Sequence, residues 1–442
     1  MLEFLGRSNN FCDSTRRDFL QAGFLGLAGL TLGDLLRARA AGPDLGTAKK
    51  NTSVLLVWLG GGPSHIDMWD MKPEAPLEVR GEYTSIATSL PGMRMCEHMP
   101  HSARVMDKCT VIRSMTHGDA DHASAAHYLL TGHEPSSVSK SNEMPSYGSI
   151  ASKECGPRRP GMPAYVAIPE PPGSGYAGYL GQAYNPFAVG GDPSDPAYQV
   201  RDLMAAGDVG LDRIEDRIGL LGKLDGMRRA VDAAGVMEGV DAFHRQAYDM
   251  VTSRAARNAF DLNQEKPATR DRYGRSSFGQ SLLLARRLVE SGVTFVTVKN
   301  NGWDTHQRNF LTLRNEKLPE IDAPWGALID DMHERGLLQD TLVILMGEFG
   351  RSWFISPPTS GREHWPQCYS LVVAGGGMKM GQVIGASDRK GAYPIDRPVT
   401  PEDFLQTVYS FLGIDSQKEY IGAAARPFKI LRSGRVIKEL TG

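Results

Sequence analysis

The sequence predicts an α/β fold with a mostly parallel central sheet that is covered by helices on both faces. Two observations lead to this prediction. Several continuous apolar runs have the length of a strand, and stretches with helical spacing of apolar residues alternate with them along the chain. A strand that is buried on both faces reads as an unbroken apolar run, and helices connect the strands of a parallel sheet. The alternation therefore predicts a layered domain with the sheet in the middle.

The N-terminal segment is excluded from this fold, because residues 1–41 have the three parts of an export signal. The pair Arg16-Arg17 precedes an apolar stretch from Phe19 to Leu32, and Ala38-Arg39-Ala40 offers a small-residue cleavage site. The paired arginines indicate the twin-arginine route. We therefore predict a twin-arginine signal peptide, contact with the twin-arginine translocase during export, and a periplasmic or extracellular location. The alternative is an amphipathic N-terminal helix of the mature fold.

The remaining chain, residues 42–442, has about 400 residues, enough for one large α/β domain with insertions or for two domains. The full chain has 49 Lys and Arg against 51 Asp and Glu, which gives a formal net charge of −2. This balance provides no basic surface, so we expect no nucleic-acid partner.

Four cysteines follow the leader, and none of them forms a C-x-x-C pair. This spacing argues against a zinc ribbon or a thioredoxin-like site. An oxidising compartment permits disulfides. The sequence does not fix their pairing among Cys96, Cys109, Cys155 and Cys368.

The strands are predicted from their apolar runs and from the glycine-rich or polar loops that follow them. The first run ends in a Gly-Gly-Gly-Pro loop, as expected of a buried strand that leads into a binding loop. In chain order the predicted strands are Ser53 to Leu59, Cys109 to Arg113, Pro163 to Ile168, Val293 to Val298, Thr341 to Met346, and Tyr369 to Ala374.

The helices are predicted from periodicity and from their end signals. Gly132 and Gly292 each stop one helix, and Thr400 followed by Pro401 opens another. Two insertions interrupt the pattern, a Gly/Pro-rich segment at about 170–200 and a helical one at about 209–263. The predicted helices are Ala123 to Leu130, Ser277 to Ser291, Trp325 to Arg335, and Pro401 to about Leu412.

Polar side chains follow the ends of several predicted strands. Asp67 lies in the loop after the first strand, Asp304 and His306 follow the fourth, Glu348 follows the fifth, and His364 precedes the last. Ligands of parallel sheets bind at the carboxyl ends of the strands. Carboxylate and imidazole together suit Zn²⁺, Mn²⁺ or Fe, whereas carboxylates alone suit Mg²⁺ or Ca²⁺. We predict a divalent metal at this edge, Zn²⁺, Mn²⁺ or Ca²⁺, with these five residues as candidate ligands.

Each of these residues has a structural alternative. Asp67 can cap a helix, and Asp304 with His306 can form a turn. Glu348 can pair with Arg351, since a carboxylate at the end of an apolar strand needs a partner. His364 can be an ordinary loop histidine.

A second polar cluster holds four imidazoles and two carboxylates within seventeen residues, between His117 and His133. The density of histidine favours a functional role for His117 or His122. The alternative is a polar loop that enters a helix, with Asp119 or Asp121 as its N-cap.

The order of motifs resembles the alkaline phosphatase and sulfatase superfamily, and more closely a domain-of-unknown-function family of twin-arginine-exported, sulfatase-like proteins. The likeness spans most of residues 50–415 and implies one three-layer α/β sandwich over residues 42–442. The motifs that carry it are Gly60-Gly61-Gly62-Pro63-Ser64-His65-Ile66-Asp67, Leu130-Thr131-Gly132, Asn301-Gly302-Trp303-Asp304-Thr305-His306, Gly347-Glu348-Phe349-Gly350-Arg351 and Gly361-Arg362-Glu363-His364-Trp365.

The resemblance implies a metal site that hydrolyses sulfate or phosphate esters, with the same five residues as ligands. Three features depart from the superfamily. Asp304 and His306 are separated by one residue rather than three, and Phe349 replaces a metal-binding histidine. His122 stands where the attacking Ser, Thr or modified Cys is expected, and Ser124 lies two residues away. Attack by His122, by Ser124 or by a metal-activated water therefore all stay open.

The resulting hypothesis is an exported metal-dependent hydrolase that acts on a small-molecule or glycan ester. Its reacting centre is predicted to include His117, Asp119 and His122, and Arg351 or Arg362 is predicted to bind the anionic group of the substrate. The alternative is a non-catalytic carbohydrate- or anion-binding protein that kept the fold and lost the nucleophile. The sequence leaves the oligomeric state open.

Overall fold

The structure, a computed structural model, describes residues 51–136, 142–200, 250, 252–421 and 427–442. The predicted signal peptide and most of the helical insertion at 209–263 lie outside the described residues. Within the described residues no helix is long and apolar enough to cross a membrane.

An eight-stranded sheet forms the centre of the domain. The strands in chain order are β1 (Ser53–Gly60), β2 (Cys109–Met115), β3 (Tyr165–Ile168), β4 (Phe187–Ala188), β5 (Phe295–Asn301), β6 (Thr341–Met346), β7 (Tyr369–Gly375) and β8 (Gln382–Ile384). Their order in the sheet is β8-β2-β7-β6-β1-β5-β3-β4, and β7 is antiparallel to both of its neighbours while the other pairs are parallel.

The two faces of β1 belong to two separate hydrophobic clusters. Val54, Leu56 and Trp58 pack into one of them, and alternate residues of the same strand, such as Leu55 and Val57, pack into the other. This is the period-2 alternation of a strand that is buried on both sides. Because both faces are apolar, helices must cover both of them.

The main helices cover the sheet in two layers. Helices α5 and α6 contribute to the cluster on one face, and α1, α2 and α7 to the cluster on the other. These helices, with the two shorter ones α3 and α4, are α1 (His122–Thr131), α2 (Tyr147–Cys155), α3 (Arg254–Phe260), α4 (Pro267–Arg272), α5 (Ser277–Glu290), α6 (Leu318–Glu334) and α7 (Pro401–Leu412).

Smaller elements connect this frame. Single-turn helices form at His65–Met68, Leu77–Arg80, Pro100–Ala103, Asn309–Thr312 and Lys438–Thr441. Two-stranded ribbons pair Ser85–Ala87 with Arg94–Cys96, Gly350–Arg351 with His364–Trp365, Ala386–Ser387 with Pro394–Asp396, and Glu419–Ile421 with Pro427–Lys429.

The predicted fold class, an α/β three-layer sandwich with a mostly parallel sheet, is confirmed. The six predicted strands all form, and so do the four helices predicted from their end signals. Helix α7 begins as expected, with a capping box in which Thr400 and Asp403 bond each other's backbone and with Pro401 at its first position. The sequence analysis missed the short edge strands β4 and β8 and the helix α2. None of the four cysteines of the described residues, Cys96, Cys109, Cys155 and Cys368, forms a disulfide bond.

The register of the central strands positions the site. Strand β1 lies between β5 and β6, and Trp58 is paired with both Lys299 and Met346. The three strands are parallel, so their carboxyl ends lie at one edge of the sheet. The loops that follow them begin at Gly61, Gly302 and Gly347, and the polar motifs of the sequence are in these loops.

Candidate metal centre

Backbone contacts hold the three post-strand loops together. The N–H of Gly61 donates a hydrogen bond of 2.8 Å to Oε1 of Glu348, which joins the loop after β1 to the loop after β6. Gly61 has a φ of 116°, and a Cβ at this position would lie 2.5 Å from the backbone nitrogen of Asp304. Only glycine allows this approach without displacing the loop that carries Asp304.

The carboxylate of Asp304 is surrounded by the Nε2 atoms of three imidazoles. Its oxygens lie 3.4 Å from Nε2 of His122, 3.0 Å from Nε2 of His306 and 3.2 Å from Nε2 of His364. We call these four residues the histidine centre. Three of them, His122, Asp304 and His364, have ligand atoms that all lie within 4.8 Å of one another.

Each imidazole of the histidine centre uses its other nitrogen, Nδ1, to contact an oxygen acceptor. Carboxylate and carbonyl oxygens only accept, so Nδ1 carries the hydrogen and the lone pair of each neutral ring is on Nε2. Ligating histidines are oriented in this way in metalloproteins. The contacts are from His122 to Oε1 of Glu348 at 2.7 Å, from His306 to Oε2 of Glu363 at 2.6 Å, and from His364 to the backbone oxygen of Ala120 at 2.7 Å.

The arrangement of side chains in the histidine centre is better explained by a bound cation than by apolar packing or by hydrogen bonds among the side chains. The Nε2 atoms of His306 and His364 lie only 2.8 Å apart, and two lone pairs at that distance repel unless a proton or a metal ion lies between them. Glu348 gives a second indication of a bound cation, because its Oε2 is buried and has no hydrogen-bond partner among the described residues. Buried polar atoms without partners are rare in native structures and call for an explanation such as an ion.

Phe349 supports two rings of the centre. Its ring centroid lies 4.9 Å from that of His122 and 4.6 Å from that of His364. Phe349 is fully buried. The residue that departs from the superfamily pattern therefore packs beneath the imidazoles.

The charges of the centre are tuned by neighbouring groups. Burial would raise the pKa of Asp304, but the hydrogen bond and charge of Arg351 outweigh it and lower the pKa to about 2. The hydrogen bond with Glu348 raises the pKa of His122. Burial lowers the pKa of His364, which keeps that ring neutral. One ionised carboxylate thus faces at least one neutral imidazole.

Arg351 has a different role from the predicted one. Its side chain is fully buried, and it donates to the backbone oxygens of Gly61 and Gly62 and, at 2.5 Å, to Oδ1 of Asp304. A third backbone oxygen, that of Arg362, accepts from Nη1 at 3.2 Å. The prediction that Arg351 binds substrate is therefore corrected, because its donors orient Asp304 and the loop after β1.

Asp67 and Arg362 bind each other rather than a metal or a substrate. Both are fully buried, and Nε and Nη2 of Arg362 each lie 2.8 Å from an oxygen of Asp67. Ser64 and Asn309 also donate to the Asp67 carboxylate, at 2.6 and 2.8 Å. With both oxygens occupied, Asp67 has no free position for a metal. The two predictions for this pair are corrected for that reason.

Of the residues predicted to form the reacting centre, only His122 lies in the histidine centre. His117, Asp119 and Ser124 contact other groups. Nε2 of His117 lies 2.8 Å from the backbone oxygen of Glu348, and Nδ1 of His117 accepts from the backbone of Asp119. Ser124 is buried and turned toward Asp121, which caps α1 by accepting from the first-turn backbone, as the structural alternative expected. His117, Asp119 and Ser124 therefore have structural contacts and do not line the cavity described next.

A cavity of about 380 Å³ opens beside the histidine centre. Three of the predicted site residues line it, together with residues that the sequence analysis missed. In the sequence, Lys299 could have been recognised as the first charged residue after a predicted apolar strand. Glu363, which contacts His306 rather than the cavity, could have been recognised as the neighbour of His364. The lining consists of Trp58, Gly60, Gly61, His122, Pro172, Gly173, Lys299, Asn301, Asp304 and Glu348.

The chain is similar to several solved structures. One is a sulfatase from Pseudoalteromonas sp., at 13% identity, with 84% of this chain and 69% of that chain covered and a TM-score of 0.39. Another is a lipoteichoic acid synthase from Listeria monocytogenes, at 9% identity, with 89% and 77% covered and a TM-score of 0.38. A phosphonate monoester hydrolase from Silicibacter pomeroyi shares 11% identity, with 88% and 76% covered and a TM-score of 0.36.

These identities and TM-scores are too low to support an assignment of activity, which must rest on the side chains of this chain. No curated protein matches the sequence. One family does match, over residues 51–441, which is nearly all of the described chain. The chain belongs to that family, which is described as "Protein of unknown function (DUF1501)".

Proposed function

We propose that the chain is a metal-dependent hydrolase of sulfate or phosphate esters, with the metal held by the histidine centre. The observation that carries the proposal is the common orientation of His122, His306 and His364. All three rings direct Nε2 toward Asp304 and fix Nδ1 on an oxygen acceptor. A structural histidine cluster has no reason to repeat this orientation three times around one carboxylate.

The donor set favours zinc or manganese over calcium. Three imidazole nitrogens and one carboxylate suit Zn²⁺ or Mn²⁺, whereas Ca²⁺ takes oxygen ligands almost exclusively. In this proposal Glu348 and Glu363 orient His122 and His306 from behind, and Arg351 orients Asp304. This assignment gives His122 a ligand role, in place of the nucleophilic role that the sequence left open as one of three possibilities.

The groups around the cavity favour attack by water. When bound, the metal would supply a Lewis acid for the ester oxygen and a lowered pKa for water. Among the described residues that line the cavity there is no Ser, Thr or Cys. Water would therefore add to the sulfur or phosphorus atom, and the ester oxygen would leave as an alcohol. The residues of the cavity wall would orient the ester.

Metal content and turnover test this proposal together. We expect the purified protein to contain about one Zn²⁺ or Mn²⁺ by elemental analysis, and to hydrolyse an aryl sulfate or an aryl phosphate. The variant His306→Ala should lose both metal and turnover. His333→Ala is the matched control, since His333 is an exposed histidine of α6. A wild-type protein without bound metal after growth in Zn²⁺ and Mn²⁺ would overturn the assignment.

A non-catalytic anion-binding role is the second candidate. The absence of a hydroxyl or thiol from the described cavity lining favours it, because related chemistry elsewhere uses such a nucleophile. Metal content without turnover on any aryl ester, combined with measurable binding of inorganic sulfate or phosphate, would favour this candidate over the hydrolase.

Export by the twin-arginine route is a further part of the proposal. The motif around Arg16-Arg17 motivates it. Cell fractionation after changing both arginines to lysine tests it, and we expect the protein to stay in the cytoplasm. Unchanged export of that variant would show that another route is used.

A further inference from the structure

The cavity beside the histidine centre is also lined by a lysine, Lys299. Lys299 is the third residue from the C-terminal end of β5, and it follows the buried residues Phe295 to Val298. It is the register partner of Trp58 on β1, so the two side chains lie side by side on one face of the sheet. Both line the cavity, together with Asn301.

Among the described residues of the cavity lining, Lys299 is the one lysine or arginine. Arg351 and Arg362 are fully buried and donate to protein oxygens. Asp304 and Glu348 add carboxylates to the same cavity and would repel an anionic ligand. A ligand with a sulfate or phosphate group therefore needs a cationic side chain as well as a metal, and Lys299 is the side chain available.

Among the described residues, the ammonium of Lys299 pairs with one carboxylate, which is easily exchanged. Nζ lies 2.5 Å from Oε1 of Glu170, whose side chain is 63% exposed, whereas that of Lys299 is 13% exposed. Glu170 lies in the loop after β3, two residues before Pro172, which lines the cavity. An ammonium has three N–H donors. An ion pair with such an exposed partner contributes little to stability, so an anion of the ligand can replace the carboxylate.

We propose that Lys299 binds the oxyanion of the ligand and that Glu170 is its exchangeable counter-ion. The two residues then set the specificity of the cavity for sulfate or phosphate groups. The identity of the ligand as an oxyanion ester rests on the proposed function, but the binding role of Lys299 can be measured without turnover.

The two variants Lys299→Met and Glu170→Gln separate a binding role from a structural one. Binding of inorganic sulfate and of inorganic phosphate to the full-length metal-loaded protein is measured by calorimetry. We expect Lys299→Met to weaken binding by about tenfold, since it removes a charge-assisted hydrogen bond. We expect Glu170→Gln to tighten binding by about two- to fivefold, because it removes the competing carboxylate. A purely structural ion pair would make both variants change in the same direction.

A matched control uses an ion pair elsewhere on the surface. Lys418 lies 2.7 Å from Glu154, and neither residue lines the cavity. Lys418→Met and Glu154→Gln should leave anion affinity unchanged. Thermal unfolding and metal content are recorded for every variant, so that a loss of fold or metal is recognised. Should Lys299→Met fail to fold, the exposed Glu170→Gln still gives a decisive result.

The outcomes distinguish this inference from the proposed function. Unchanged affinity in Lys299→Met, weaker binding in Glu170→Gln, or no binding of either anion to the wild type would overturn the role of Lys299. Anion binding that depends on Lys299 but occurs without any ester turnover would overturn the hydrolase and keep the inference. Where turnover is present, Lys299→Met should raise KM more than it lowers kcat, since it acts on ligand binding.

Discussion

Nη2 of Arg351 lies 2.5 Å from Oδ1 of Asp304, and the same guanidinium holds the backbone of Gly61 and Gly62. One side chain thus joins the loop after β1 to the carboxylate after β5. The contact also explains why the pKa of Asp304 falls to about 2 despite partial burial. Arg351 is therefore a positioning residue for the histidine centre.

The first prediction is that Arg351→Lys weakens metal binding. A lysine keeps the charge but cannot reach the backbone of both glycines and the carboxylate at once, since it lacks the planar fork of arginine. An aspartate with an ordinary pKa of about 3.9 is still ionised at neutral pH, so the loss comes from orientation and not from protonation. We expect metal affinity to fall by about 10- to 100-fold, as for other residues that orient ligands.

Competition with a chelator of known affinity measures this loss. Arg275→Lys is the control, because Arg275 is half exposed and its contacts with the Asp271 carboxylate and the backbone oxygen of Pro267 are within its own stretch of chain. An unchanged metal affinity in a folded Arg351→Lys protein would contradict the positioning role.

The second prediction concerns Gly61, the glycine that lies against the loop of Asp304. In Gly61→Ala the new Cβ would lie 2.5 Å from the backbone nitrogen of Asp304, so this loop must move. We expect reduced metal content in addition to lower stability. Elemental analysis and chemical unfolding of the same preparation measure the two effects.

Gly92→Ala is a matched control for backbone strain. Gly92 also has a positive φ, of 82°, but a Cβ there would meet no atom within 4 Å. It should lose about 1–2 kcal/mol from the left-handed conformation alone and retain its metal. Equal metal content in the two variants would show that the close approach of Gly61 to Asp304 is not needed.

The third prediction tests the correction for Asp67. In Asp67→Asn the guanidinium of Arg362 stays buried but loses the charge of its bidentate partner. Breaking a buried pair on one side destabilises a protein by about 3–5 kcal/mol. We expect such a drop in the free energy of unfolding, with metal content unchanged in the protein that folds.

Asp304→Asn provides the contrast, because Asp304 is 44% exposed and lies at the histidine centre. It should lose metal with a smaller change in stability. If Asp67→Asn instead released the metal and kept its stability, Asp67 would be a ligand after all.

Sequence reasoning predicted the sheet because its strands are continuous apolar runs, which few other structures produce. It also predicted that Asp304, His306 and Glu348 would be near one another, since they follow strands that share one edge, and that His364, in the loop before the last strand, would join them. The structure brings these four together. His122 joins them from the first position of α1, through a contact with Glu348 that spans 226 residues of sequence.

The errors came from partners that sequence cannot assign. Asp67 and Arg362 are 295 residues apart, and nothing local indicates that they form a buried pair. Arg351 was predicted to bind substrate because its backbone acceptors, Gly62 and Gly61, are 289 and 290 residues away in the sequence. Residue type and strand position predict which edge carries a site. Only the packed structure shows which charges are already neutralised by one another.

The last prediction is a loss of stability in acid that arises from residues outside the histidine centre. Asp331 on α6 lies 2.9 Å from Nε of the buried Arg286 on α5 and 2.8 Å from Nε of Arg335. Burial would raise the pKa of Asp331, but the hydrogen bond with Arg335 and the charge of Arg286 outweigh it and lower the pKa. The carboxylate therefore binds its proton more weakly in the folded state than in the unfolded state.

A lowered pKa in the folded state stabilises the protein above the unfolded pKa of about 3.9, and this stability is lost as the pH falls through the folded pKa. The free energy of unfolding from urea titrations should thus be constant near pH 7 and decrease below about pH 5. In Asp331→Asn the protein should be less stable at pH 7 and show a shallower decrease in acid. Asp396→Asn, at an exposed aspartate of the ribbon 394–396, is the control and should follow the wild type. A decrease of equal steepness in Asp331→Asn would assign the acid sensitivity to other carboxylates.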